Sequence, residues 1–160
     1  MHGSRTQTGQ SVDVRRIIVD SDIIRDHVFG SRRPSVLRTA LNRCFCYTTV
    51  FSVIELFARA GSSGEERAIE DALAGTKLLG LNARSAKHHA GLWRAYPRTD
   101  RWALLVAGLC LEAGLPLLTG RPALYRGVRR LKIVTPEGLE RMPLAGVAAS
   151  GVDGRERVTR

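Results

Sequence analysis

The segment Arg16-Ile-Ile-Val-Asp20, an unbroken apolar run closed by an acid, constrains the fold more than any other part of the chain. A strand with one wet face alternates apolar and polar side chains, whereas a strand covered on both faces does not. The run therefore predicts a central parallel strand with Asp20 at its carboxyl end. Helices are then needed on both sides of it, and the rest of the sequence supplies them. Apolar residues recur at helical spacing over 21–29 and stop at Gly30, and a second short helix is predicted from Pro34 through Leu41. Residues 44–49 have the aromatic and β-branched composition of a strand and lead into a helix over 53–60. After a turn at 61–64, a helix over 65–73 precedes a short strand over 77–81. Asn82 can cap a helix running to Tyr96, and Thr99 or Asp100 can cap the next, which Gly114 ends. Strands over 115–119 and 131–135 flank a helical turn at 122–125. This alternation with short connections predicts an α/β fold, a three-layer α/β/α sandwich with a mainly parallel central sheet.

With 160 residues the chain makes one core, placed at 16–139, with a flexible arm expected at 1–15 and a flexible tail at 140–160. The longest apolar run, 102–111, is about half of what a bilayer span needs, so no membrane partner is expected. The opening residues are polar with no apolar segment behind them, which points to a cytoplasmic protein. Cys44, Cys46 and Cys110 are odd in number and read as small buried hydrophobes in a reducing compartment. The adjacent His88 and His89 would point about 100° apart on a helix and so would not chelate one ion. The net charge is +10, and residues 16–139 alone hold 19 basic and 11 acidic side chains, so the excess lies on the domain itself. Such a field favours a polyanionic or acidic partner: RNA, DNA or an acidic protein. An arginine-rich coding bias accounts for the composition equally well, since only Lys77, Lys87 and Lys132 are lysines.

A parallel sheet gathers its chemistry beyond the carboxyl ends of its strands. Asp20 ends the first strand, Glu55 follows the second, and Thr119 ends the strand after the long apolar helix. Acids gathered there suit Mg2+, which takes hard oxygen ligands. Each also has a plainer explanation. Asp20 or Ser21 can cap the first helix, Asp100 can cap a later one, and Ser52-Val-Ile-Glu55 fits a capping box in which Glu55 serves a backbone N–H. Asp22 and Asp26 can lie on a solvated helix face. No Gly-x-Gly-x-x-Gly follows the first strand, which argues against a dinucleotide site.

The order of these features resembles the PIN-domain family of VapC-like type II toxin ribonucleases. Ile18-Val-Asp-Ser-Asp-Ile-Ile-Arg-Asp-His27 resembles the family's opening motif. Thr48-Thr-Val-Phe-Ser-Val-Ile-Glu-Leu56 resembles its second motif. Leu109-Cys-Leu-Glu-Ala-Gly-Leu-Pro-Leu-Leu-Thr119 resembles the passage before the fourth site, and residues 128–135 the closing strand. The resemblance implies an endoribonuclease that uses Mg2+ or Mn2+ to cleave RNA phosphodiester bonds, kept silent by an antitoxin protein, commonly as a homodimer. Apolar helix faces such as Val36, Leu37 and Leu41, or Leu56 and Phe57, could serve that dimer.

Two family positions depart from the pattern. Ala103 stands where the third acid belongs, and Arg121 stands where an Asn or Asp follows the threonine. One reading keeps the enzyme: Asp20, Glu55 and Asp100 hold the ion, helped by Asp22 and the Thr119 hydroxyl, with Asp100 reaching in from about 4.5 Å further along the helix. The other is a catalytically inactive PIN-like module that binds RNA or an antitoxin-like protein. In that case the Arg121 guanidinium takes the ion's electrostatic place between Asp20 and Glu55.

Overall fold

A computed structural model describes residues 15–143. It opens with β1 (Arg16–Val19), α1 (Ser21–Phe29), α2 (Val36–Arg43), β2 (Phe45–Thr49), α3 (Val50–Ala58) and α4 (Ser63–Leu73). There follow β3 (Lys77–Leu79), α5 (Ala83–Ala95), α6 (Arg101–Ala113), β4 (Leu117–Leu118), a 3-10 turn (Pro122–Tyr125), β5 (Ile133–Val134) and α7 (Pro136–Arg141). The strands form one sheet in the order β3-β2-β1-β4-β5, and every neighbouring pair is parallel.

β1 is central, as its unbroken apolar run predicts. Its side chains alternate between two separate cores. Ile17 and Val19 pack with Ile24, Leu37, Ile69 and Leu139 on one face, while Ile18 packs with Phe51, Leu104, Ala107 and Leu117 on the other. Two cores on opposite faces make the three layers. The faces of α2 and α3 offered for dimerisation belong largely to the first core, where Val36, Leu37 and Leu56 are buried.

Three local details depart from the sequence expectations. α3 begins at Val50, not Val53, because the Thr49 side chain accepts from the Ser52 N–H at 3.0 Å. Ser52 is thus inside the helix, and the capping box offered for Ser52 and Glu55 does not form. Glu55 is released from backbone duty. The boundary expected at 139 falls within α7, which Thr135 caps and Pro136 opens, and whose Leu139 is fully buried. Most of the arm and tail expected at 1–15 and 140–160 lies outside the described residues.

α5 and α6 are joined by His89. Its Nδ1 lies 2.8 Å from the Ser85 carbonyl oxygen and its Nε2 lies 3.1 Å from that of Leu105, so the imidazole bridges one turn of its own helix to the neighbouring one. Of the three cysteines expected to be buried, Cys46 and Cys110 are and Cys44 is only half-buried, and burial pushes the Cys46 thiol up to about 12. Among the described residues no helix is long and apolar enough to cross a membrane.

Candidate active site

The carboxyl ends of β1 and β4, the first turn of α1 and the 3-10 turn converge on Asp20. Its carboxylate is buried and accepts three hydrogen bonds. Oδ1 accepts from the Ser21 N–H at 2.8 Å, while Oδ2 accepts from the Thr119 hydroxyl at 2.9 Å and the Tyr125 phenol at 2.8 Å. Two hydrogen bonds use both lone pairs of Oδ2. Burial raises the Tyr125 pKa, and the Asp20 carboxylate raises it further, which keeps the phenol a donor.

Glu55 arrives one and a half turns into α3. It accepts from the Ser21 hydroxyl at 2.7 Å through Oε2, and its Oε1 pairs with Arg59 at 3.3 Å. Between the two acids stands Arg121. Its Nη2 lies 3.6 Å from Asp20 Oδ2 and its Nη1 lies 3.6 Å from Glu55 Oε1. Nη2 also donates to the Ser21 hydroxyl at 2.9 Å. At this separation each pair gains a gross Coulomb attraction of about 4–5 kcal/mol at an effective dielectric near 20, before desolvation is subtracted. Burial alone would lower the Arg121 pKa, but the carboxylates of Asp20, Asp22 and Glu55 outweigh it and the net shift is upward.

Asp22 binds the start of the loop after β4. Its Oδ2 accepts from the Gly120 N–H at 2.8 Å. A Cβ on Gly120 would stand 2.8 Å from that same oxygen, so glycine permits the approach. Burial raises the Asp22 pKa first, and the neighbouring Asp20 charge adds to the rise. Asp100 stays apart in role. It is an exposed N-cap whose Oδ1 accepts from the Ala103 N–H at 2.9 Å, although it lines the same cavity of about 430 Å3 as Asp20, Glu55 and Arg121.

The residues expected at the site are therefore brought together with one exception of arrangement. Asp20, Glu55, Asp22, Thr119 and Arg121 form one network, but among the described residues no group of three or more acidic, histidine or cysteine side chains is placed to hold a metal ion. The set of Asp20, Glu55 and Asp100 expected as ligands is thus not assembled. Asp20 Oδ2 already accepts two hydrogen bonds, and a cation of the chain fills the gap toward Glu55. These residues do not fit Mg2+ or Mn2+ as they stand. Sequence reasoning overlooked Tyr125 and the bridging role of Ser21. The only sequence signal for Tyr125 is its position four residues after Arg121, and the sequence offers Ser21 only as a helix cap.

No family model and no curated protein matches the sequence. Solved structures do match in fold. A chain of VapBC2 from Rickettsia felis, solved bound to a DNA fragment from its promoter, superposes with a TM-score of 0.66 at 10% identity, covering 75% of this chain and 98% of that one. A chain of VapBC-1 from nontypeable Haemophilus influenzae gives 0.63 at 16% identity, covering 76% and 98%. A chain of VapBC-5 from Mycobacterium tuberculosis, a member of the VapBC family of toxin-antitoxin systems, gives 0.54 at 18% identity, covering 75% and 98%. The chain has the VapC-like PIN fold.

Proposed function

We propose that this VapC-like PIN fold serves as a non-hydrolytic binding module, with an antitoxin-like protein as its partner and its acid site closed by its own arginine. The observation that carries the reading is the Arg121 guanidinium, placed 3.6 Å from both Asp20 and Glu55. A guanidinium offsets the acids' charge and so stabilises the fold, but it offers no Lewis acidity and does not activate water. The solved neighbours are chains of toxin-antitoxin complexes, which supports a protein partner over a small-molecule substrate.

A second reading, the Mg2+- or Mn2+-dependent endoribonuclease acting on RNA, is favoured by a different observation. Arg121 Nε is buried without a hydrogen-bond partner, and the side chain as a whole is 32% exposed. An unpartnered buried donor costs about 1–3 kcal/mol, so the guanidinium is held less firmly than its two ion pairs suggest. A partner that drew Arg121 outward would free both carboxylates.

Incubating the purified protein with single-stranded and structured RNA plus Mg2+ or Mn2+, beside Asp20→Ala and Glu55→Gln, separates the two. The binding-module reading predicts the same background from all three proteins. Cleavage by the unsubstituted protein that is lost both in Glu55→Gln and in an Asp20→Ala protein shown by circular dichroism to be folded would establish the ribonuclease and overturn it.

A further inference from the structure

A second recess lies away from the acids. It holds about 770 Å3 between α5, the end of α6 and the loop leading into β5, and it shares no lining residue with the acid cavity. Leu92 and Ala95 of α5, Leu111 of α6, and Leu115 and Leu131 line it with aliphatic surface. Arg129, Arg130 and Lys132 line it as well, all three exposed, and no carboxylate is among its lining side chains.

The charge around it is one-sided in sequence as well as in space. Residues 83–99 carry four Arg or Lys and residues 122–135 carry four, with no Asp or Glu in either segment. Among the described residues, none of Arg129, Arg130 and Lys132 forms a salt bridge. The loop is also held in place. The Arg129 N–H donates to the Tyr96 phenolic oxygen at 3.0 Å, and Arg130 adopts a left-handed backbone with φ of 69°. A bulky residue seldom takes that conformation without a reason elsewhere in the structure.

We propose that this groove docks an acidic amphipathic segment of another protein, its apolar face on the leucines and its carboxylates toward Arg129, Arg130 and Lys132. Charge complementarity selects that occupant. The chain's own ends are poor candidates, since residues 144–160 carry three arginines against one aspartate and one glutamate. A nucleic acid would meet the same cations. However, single strands are held by stacking bases on aromatic faces, and here the rings of His88 and Tyr96 are outnumbered by the aliphatic side chains of Leu92, Ala95, Leu111, Leu115 and Leu131. An amphipathic helix laid into a groove needs just such aliphatic surface. The inference does not depend on the state of the acid site.

The test measures binding by the full chain of a labelled peptide of about 18 residues, with leucines at helical spacing and glutamates elsewhere. A version with the leucines replaced by serine, and a single-stranded oligouridylate of similar length, are measured beside it. The leucine–glutamate peptide should bind, the serine version should not, and Arg129→Gln/Lys132→Gln should weaken binding about tenfold. Both substitutions lie on exposed side chains without ion pairs, and an unchanged Tm confirms that the fold is intact. No binding of the peptide, equal binding of the serine version, or no loss in the double variant overturns the proposal. So does oligouridylate binding that the double variant abolishes while the peptide stays unbound, which would assign the groove to nucleic acid.

Discussion

Asp20→Ala lowers the stability of the fold by about 3–5 kcal/mol, the range for breaking a buried charge pair by removing one partner. The loss comes from several donors at once. The buried Tyr125 phenol loses its acceptor, and an unpartnered buried group costs about 1–3 kcal/mol, while the Thr119 hydroxyl is left with only its longer 3.4 Å contact to Asp22. Arg121 keeps Glu55 and Ser21 but loses its more buried partner. The sign of the change is as informative as its size. In a cluster of unneutralised carboxylates, removing one relieves repulsion and stabilises the protein. With a guanidinium seated among them, removing one destabilises it. Urea denaturation followed by circular dichroism measures the difference, and a variant as stable as the unsubstituted protein, or more so, would mean that Arg121 does not neutralise the site.

The second large effect lies between α5 and α6. A Cβ on Gly108 would stand 2.3 Å from His89 Nε2 and 2.6 Å from Cδ2, and the buried ring has little room to swing away, with each nitrogen facing a carbonyl oxygen. Gly108→Ala must therefore break the bridge to Leu105 or push the helices apart. Overpacking of this kind costs about 1–3 kcal/mol. The gain in helix propensity returns up to about 1 kcal/mol, leaving a net loss of up to roughly 2 kcal/mol. Gly91 on α5 is the internal control, since a Cβ there meets nothing within 4 Å. Gly91→Ala should stabilise by about 0.5–1 kcal/mol from propensity alone. Thermal unfolding of the two variants should move in opposite directions. A Gly108→Ala protein with an unchanged or raised Tm would show that His89 does not lock the helices.

Much of this fold is legible in the sequence because burial leaves a direct mark on it. The run Ile17 to Val19 has no polar alternation because two cores flank it, and Asn82, Asp100 and Gly114 mark helix ends by side-chain and backbone chemistry that acts locally. The start of α3 was misplaced because Ser52 and Glu55 have the spacing of a capping box, while the competing cap, Thr49, lies at the end of a strand where such a role is easily overlooked. α7 had a local signal, Thr135 before Pro136, that was passed over in ending the domain at 139.

The site divides along the same line. Asp20, Glu55 and Thr119 follow from topology, since a parallel sheet delivers its strand ends to one edge. Arg121 is singled out by its register against the family resemblance, and its guanidinium lies 3.6 Å from both Asp20 and Glu55. Tyr125 and Ser21 depend on how the 3-10 turn folds back over β1, a tertiary event without a periodic signature. The cap role of Asp100 was legible, but whether it would join the other acids was not. Its hydrogen bond to Ala103 is the local competitor that holds it at the helix end.

Titration of Mn2+ into the unsubstituted protein and into Arg121→Asn, read by calorimetry and by the shift in Tm, tests most directly whether an arginine stands in for the ion. The account predicts little binding to the unsubstituted chain, and in Arg121→Asn an affinity higher by about tenfold or more together with a Tm that rises with Mn2+. Equally weak binding in both proteins, or metal binding by the unsubstituted chain as tight as by the variant, would contradict it.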